Sequence, residues 1–240
     1  GKVELGPGVT PAQVTTVTSV MAHDDTLLRA DFFADADPEA LGQVAARGHE
    51  RHLIRGDVLF NEGDPPSALY LVLRGRLAIA ISNPIDRRES VVALMEVDDL
   101  FGEMGMLDDG PRSAMARALE PTTVLEIPYE PILRMFDEHP HLLWNVTRLL
   151  AQRIRVTDEA LADSVFLDVT GRTAKRLLEL ADGADSFLLP VTQEELAGMV
   201  GASRERVNKA IASFIRLGWL EQSDRSYTII QRDRLELRAR

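Results

Sequence analysis

"VTQEELAGMVGASRERVNKAIASFIRLGWLE", residues 191–221, holds two helix starts and the turn between them. Thr192 followed three residues later by Glu195 forms a capping box, in which hydroxyl and carboxylate each satisfy a free N–H of the first helical turn. Eight residues of helix then end at Val200 and Gly201, and the glycine suits a tight turn between two crossed helices. Ser203 can cap a second helix, Arg204–Leu217. Ala197, Val207 and Ile211 have the small and branched shapes that let two helices cross closely. Residues 218–221, 223–226 and 227–230 then read as a β-hairpin. Two crossed helices followed by such a wing make a DNA-reading unit. Its second helix opens with Arg204, Glu205, Arg206, Asn208 and Lys209. Arg and Lys reach guanine edges and Glu reaches the cytosine amino group. Thr192, Gln193 and Ser203, at the two helix starts, complete the expected DNA-contacting set. An ordinary solvated helix face accounts for the charges, but not for the joint pattern of two caps, glycine turn, basic start and hairpin.

The charge of the whole chain argues against a nucleic-acid partner only as an average. The net charge is −11, from 27 basic and 38 acidic residues. Residues 171–240 carry 12 basic and 10 acidic residues, a net of +2, so the preceding 170 residues carry −13. Residues 204–216 hold four basic side chains against one acid. Such asymmetry points to two domains with different partners, although chance surface variation produces similar imbalances.

N-terminal to the DNA-reading unit, Arg172–Asp182 reads as an amphipathic helix with Ala174, Leu177, Leu178 and Ala181 on its apolar face. "DVTG", residues 168–171, supplies capping side chains and a glycine and reads as a hinge. Before it, residues 141–166 form one long helix. Leu143, Thr147, Leu150, Ile154, Thr157, Leu161 and Ser164 recur at alternating steps of four and three, which is a coiled-coil seam. Three hydroxyls make that seam weak. It fits a homodimer helix, and also a helix packed on its own domain.

From Gly48 to Pro128 the texture is short β-rich runs punctuated by turns at residues 55–57, 62–66 and 74–76. Further strand candidates are Ser90–Met95, Ser113–Ala118 and Val124–Pro128, so the region reads as a rolled or closed β-structure. Thr26–Phe33 and Pro38–Arg47 read as short helices preceding it. Inside the β region lies "FGEMGMLDDGPRSA", residues 101–114, too rich in glycine and proline for a long helix and too irregular for a strand. Its lone Arg112 sits in acidic and apolar company. A short helical turn near residues 104–107 aims N–H groups at an anion, and an arginine forks onto phosphate oxygens. An Arg–Glu ion pair between loops, without a ligand, is the competing reading.

The sequence also excludes. It has no cysteine, hence no disulfide, thiolate metal site or cysteine nucleophile. No apolar run approaches a membrane span, and the first 25 residues make a poor signal peptide, so cytoplasm is the expected compartment. His49 and His52 lie in strand-like sequence and read as surface residues; His139 and His141 bring no ligand partners, so no metal site is expected. Trp144 and Trp219 read as packing residues. No Ser/His/Asp set and no P-loop is present, and the chain reads as a non-enzyme.

Taken together, these residues resemble the cyclic-AMP receptor protein family, the CRP/FNR-type bacterial transcription regulators. The resemblance runs from about Leu27 to the C-terminus. It is carried by Gly63, Asp64 and Gly75, by "FGE" at 101–103, Arg112 and Ser113, "FLDVTGR" at 166–172 and "GASRE" at 201–205. It implies that the 101–114 loop is a phosphate-binding cassette. Arg112 then pairs with the cyclic phosphate, Ser113 adds a hydroxyl and an N–H, Gly102 admits the sugar, and Glu103 accepts the ribose 2′-OH. The same resemblance puts Thr157 at the adenine amine on the dimer helix, with Asp158 beside it where several relatives carry a neutral hydroxyl or amide. A carboxylate there accepts from the amine, or else suits a different ligand.

The reading is therefore an α+β chain in four parts. A flexible N-terminal arm covers 1–25, a cyclic-nucleotide-binding β-roll 26–138, a dimerisation helix 139–167 and a winged helix-turn-helix domain 168–240. The expected function is a homodimeric regulator that binds cAMP without a metal, reads palindromic double-stranded DNA, and meets RNA polymerase, with no membrane partner. The alternatives are the same fold responding weakly to cAMP or to another signal, and a nucleotide sensor or scaffold acting through a protein partner.

Overall fold

The roll is made of eight short antiparallel strands: β1 (His49–Leu53), β2 (Val58–Phe60), β3 (Ala68–Arg74), β4 (Leu77–Ser82), β5 (Glu89–Met95), β6 (Leu100–Phe101), β7 (Met115–Ala118) and β8 (Thr122–Pro128). They pair into two four-stranded sheets, ordered β1-β8-β3-β6 and β2-β7-β4-β5. The computed structural model describes residues 26–83, 85 and 89–240. The N-terminal arm expected over 1–25 lies outside the described residues.

Strand β3 shows why the roll reads as hydrophobic runs. Tyr70 and Val72 face the interior between the sheets, with Phe101, Ala116 and Val124. Leu69 and Leu71 face the other way, against helices carrying Leu41, Val44, Ile132 and Phe136. A strand buried on both faces has no polar alternate positions. The helical cover comes from α1 (Pro38–Ala45), capped by the Asp37 carboxylate, and α3 (Tyr129–Glu138). Of the helix expected over Thr26–Phe33, Thr26 and Leu27 are helical, Leu28–Ala30 turn, and Asp31–Phe33 form a 3-10 helix that buries both Phe32 and Phe33. The 101–114 loop contains the five-residue α2 (Met104–Asp108).

A 3-10 turn at Pro140–Leu142 leads into α4 (Leu143–Phe166), 24 residues and about 36 Å long. Its start is anchored where Val146 is buried and Asn145 Nδ2 donates to the Ala34 carbonyl at 2.5 Å, and near its end Lys175 Nζ meets the Asp163 carboxylate at 2.6 Å. The hinge is shorter than the sequence suggests. Asp168 caps α5 (Val169–Ala181) by accepting from Gly171 N at 2.8 Å, so residues 169–171 are already helical and the non-helical link is Leu167–Asp168.

The C-terminal domain holds α6 (Gln193–Val200) and α7 (Arg204–Arg216), with the capping box at Thr192 and Glu195 complete and Gly201 in the left-handed cap. The expected hairpin is β10 (Leu220–Ser223) and β11 (Ser226–Ile229). Two elements escaped the sequence reading: β9 (Ser186–Leu188), which pairs with β11, and α8 (Arg232–Arg238), which packs on α5. The domain does not stand apart from the roll. Ala78 and Ala80 on β4 and Val91 on β5 share one buried cluster with Leu196, Ala197 and Val200 of α6. Small side chains on the outer face of β4 let α6 come that close.

Candidate nucleotide cavity and DNA-reading helix

A cavity of about 530 Å³ lies between the roll and α4. Gly102, Glu103, Arg112, Ser113, Arg153 and Thr157 supply its polar groups, and Phe60, Ile79, Val92, Met104 and Leu149 its apolar wall. That size and composition suit one small ligand held by a few polar contacts.

Arg112 is 6% exposed. Its Nη1 donates to the Gly102 carbonyl at 2.8 Å and to the Tyr129 hydroxyl at 3.1 Å, and its Nη2 donates to the Ala68 carbonyl at 2.7 Å. The guanidinium carbon lies 4.4 Å from the Phe60 ring centroid. No carboxylate pairs with Arg112 among the described residues, which removes the Arg–Glu loop bridge as an explanation of this arginine. Gly102 has φ +89°, and a Cβ there would meet Arg112 Nη1 at 2.7 Å. Glycine is thus needed for the arginine to lie flat against the loop.

Glu103 is fully buried. One carboxylate oxygen is held by Arg153 of α4, and Arg153 Nη2 also donates to the Leu100 carbonyl at 2.8 Å. The other oxygen, Oε2, has no hydrogen-bond partner among the described residues. Ser113 Oγ donates to the Met104 sulfur at 3.6 Å. Thr157 Oγ1 donates to the Arg153 carbonyl at 2.9 Å, which leaves its lone pairs for a donor. Asp158 is exposed and does not line the cavity of its own chain. It sits one helical step from Thr157, at the flank of the seam. Arg153, Phe60 and Tyr129 were missed from sequence. Arg153 alone had a signal, since it lies one turn before Thr157 on the same helix face.

On α7 the structure brings the expected readers together. Arg204, Glu205, Arg206, Asn208 and Lys209 are exposed, while Val207, Ala210, Ile211 and Phe214 are buried on the opposite face. Ser203 caps the helix by accepting from Arg206 N at 3.4 Å. Thr192 is engaged in its capping box, and Gln193 turns inward, donating to the Tyr227 hydroxyl at 2.7 Å. Those two serve the fold of the domain in this structure. His49 and His52 lie on β1 beside Glu126 and Thr123, and no His/Cys/Asp/Glu group suited to a metal occurs among the described residues. No helix of the described residues is long and apolar enough to cross a membrane.

Known proteins with the same organisation bear on these two sites. Residues 50–139 match the cyclic nucleotide-binding domain and residues 171–238 the Crp-like helix-turn-helix domain. The two matches define a class: a transcription regulator that joins a nucleotide-binding domain to a DNA-binding one. The chain belongs to the CRP/FNR family of transcription regulators. It is 36% identical over 224 residues to the CRP-like cAMP-activated global transcriptional regulator of Mycobacterium tuberculosis, covering 90% of this chain and all of that one. It is 32% identical over 160 residues to the cAMP-activated global transcriptional regulator CRP of Salmonella typhimurium, covering 64% of this chain and 76% of the relative. Among solved structures it resembles the c-di-GMP responsive global regulator CLP of Xanthomonas campestris, with a TM-score of 0.70 and 26% identity over 80% of this chain and 99% of that one.

Proposed function

We propose that the protein is a homodimeric, cytoplasmic regulator that binds cAMP in the cavity of the roll and reads a palindromic DNA site, where it meets RNA polymerase. The observation that carries the ligand is Arg112. A buried guanidinium with carbonyls and aromatic faces around it, and no carboxylate, is an uncompensated cation that an anionic ligand stabilises. The unpartnered Glu103 Oε2 supports a hydroxyl donor at the other end of that ligand, as on a ribose. Thr157, with its proton given to the helix, favours the exocyclic amine of adenine over the carbonyl of guanine. A cavity of about 530 Å³ favours a cyclic mononucleotide over the dinucleotide named for the Xanthomonas neighbour, and the Mycobacterium relative is described as cAMP-activated.

The seam of α4 supports the dimer. Ile154, Leu161 and Val165 are each more than 60% exposed on the single chain, an apolar face that a second copy of the same helix covers. Asp158 then lies beside the seam, within reach of a second copy. A two-fold pair of α7 helices reads half-sites about 34–36 Å apart. Ligand contacts on α4 pass to the DNA domain through the short link at Leu167–Asp168, and the coupling is reciprocal between ligand and DNA.

Calorimetry with cAMP, cGMP and c-di-GMP on the parent and on Arg112→Ala tests this. The parent is expected to bind cAMP best, and Arg112→Ala to bind it at least tenfold more weakly, as losing a charge-assisted contact costs about 1.5–3 kcal/mol. Glu103→Ala is expected to lose less, and to lose the preference for cAMP over its 2′-deoxy analogue. Unchanged affinity in Arg112→Ala, or tighter binding of c-di-GMP than of cAMP, would overturn the ligand assignment.

A further inference from the structure

Tyr129 does not line the cavity, yet it touches the arginine on which the cavity depends. Its hydroxyl donates to the Gly102 carbonyl at 2.5 Å and accepts from Arg112 Nη1 at 3.1 Å. Arg112 Nη1 donates to the same Gly102 carbonyl at 2.8 Å, so the three groups close a triangle. Burial pushes the Tyr129 phenol up from its ordinary pKa, while Arg112 pulls it the other way. The hydroxyl therefore keeps its proton at neutral pH, gives it to the carbonyl, and offers only lone pairs to the guanidinium.

The triangle decides which donors of Arg112 remain. Both Nη1 hydrogens are used inside it, and one Nη2 hydrogen is used by Ala68. The Nε–H and the second Nη2–H meet no carbonyl or carboxylate among the described residues; the Tyr70 phenol is the other side chain that hydrogen-bonds the guanidinium, and the donors outside these contacts are what it has left for a phosphate. The guanidinium face is held by Phe60 on one strand and its Nη1 side by Tyr129, the first residue of α3. We infer that Tyr129 is a positioning residue for the anion site, fixing the rotation of the Arg112 guanidinium so that its free donors meet a cyclic phosphate. This rests on the reading of the cavity as a cyclic-nucleotide site.

The test is Tyr129→Phe, which keeps the ring and removes the hydroxyl. Affinities are measured by calorimetry for cAMP and for the two diastereomers of its phosphorothioate, which differ in which phosphate oxygen is replaced by sulfur. In the parent a fixed guanidinium distinguishes the diastereomers. In Tyr129→Phe the affinity for cAMP is expected to fall about tenfold and the diastereomer ratio to shrink at least threefold. General loosening of the domain lowers every affinity but leaves the ratio in place. A parent that binds no cAMP removes the nucleotide reading and this inference with it. A parent that binds cAMP but treats both diastereomers alike overturns the inference alone. So does a Phe variant with the parent's ratio, whatever its affinity.

Discussion

The carboxylate of Glu195, third residue of α6 in the DNA-binding domain, lies 3.2 Å from the guanidinium of Arg117 on β7 of the roll. The same arginine reaches Glu89 of β5 at 3.2 Å, and its Nε is buried without a hydrogen-bond partner among the described residues. Beside it, Ser90 Oγ donates to the Gly198 carbonyl at 2.9 Å, and a Cβ on Gly198 would meet the Glu89 carbonyl at 3.0 Å. Glu195 thus acts twice: it completes the capping box of α6 and ties that helix to the nucleotide-binding domain. The exposed face of α7 is oriented by a contact that the helix before it makes.

Arg117→Ala is expected to loosen this docking by about 1–3 kcal/mol, since it strands a mostly buried carboxylate. Amide hydrogen exchange in α6 and β5 is the readout. Protection there should fall several-fold while that of β3 and β8 stays constant. Equal exchange in parent and variant would mean that the apolar contacts of Ala78, Ala80 and Val91 hold the domain alone.

The docking should also weaken in acid. Burial pushes the Glu195 carboxyl up, but the N–H and hydroxyl of Thr192 and the Arg117 guanidinium outweigh it and hold the group below its ordinary value of 4.5. A depressed carboxylate contributes stability that is complete above its ordinary pKa and disappears as pH falls through the folded one. Thermal melts of the parent should therefore drop below about pH 4.5. Glu195→Gln keeps a capping-box side chain and removes the charge, so its melts should lack that part of the acid dependence. A variant with the parent's full acid dependence would assign the effect to other carboxylates.

For assembly, Ile154→Lys is the informative substitution. Ile154 is 61% exposed, whereas Leu150 packs partly against its own domain's core, so a lysine at 150 disturbs the protomer as well as the seam. In a dimer, Ile154→Lys places like charges at an apolar contact. Sedimentation velocity should give a monomer with an unchanged far-ultraviolet circular dichroism spectrum. A persisting dimer would move the interface away from α4.

Arg204→Ala should lower affinity for a specific operator by about 1–3 kcal/mol and relax the preference for guanine at one position of each half-site. Lys209→Ala, if its contact is to phosphate, should weaken specific and scrambled DNA alike and reduce the salt slope by about 0.9 log units per neutralised phosphate. Binding titrations at several salt concentrations separate the two. An Arg204→Ala protein indistinguishable from the parent on both DNAs would exclude α7 as the reader.

The sequence by itself determined the parts that local chemistry specifies. Thr192, Glu195, Ser203 and Gly201 bound α6 and α7 through contacts three or four residues apart, and those signals appear in the structure where the spacing put them. The 4-3 recurrence along α4 was legible for the same reason, because one helix repeats one geometry. Asp168 was legible as a cap but misread as part of a longer break, since a capping side chain starts a helix at once. Tertiary structure alone decided the rest. Arg153 meets Glu103 across 50 residues, and Arg117 meets Glu195 across 78. Arg112 finds Tyr129 only because β8 runs antiparallel to β3 and delivers α3 to the back of the loop. Apart from the helical turn between Arg153 and Thr157, nothing periodic marks such residues: their roles depend on burial, which makes an unpaired guanidinium or carboxylate oxygen costly, and burial is set by the packing of strands and domains distant in the chain.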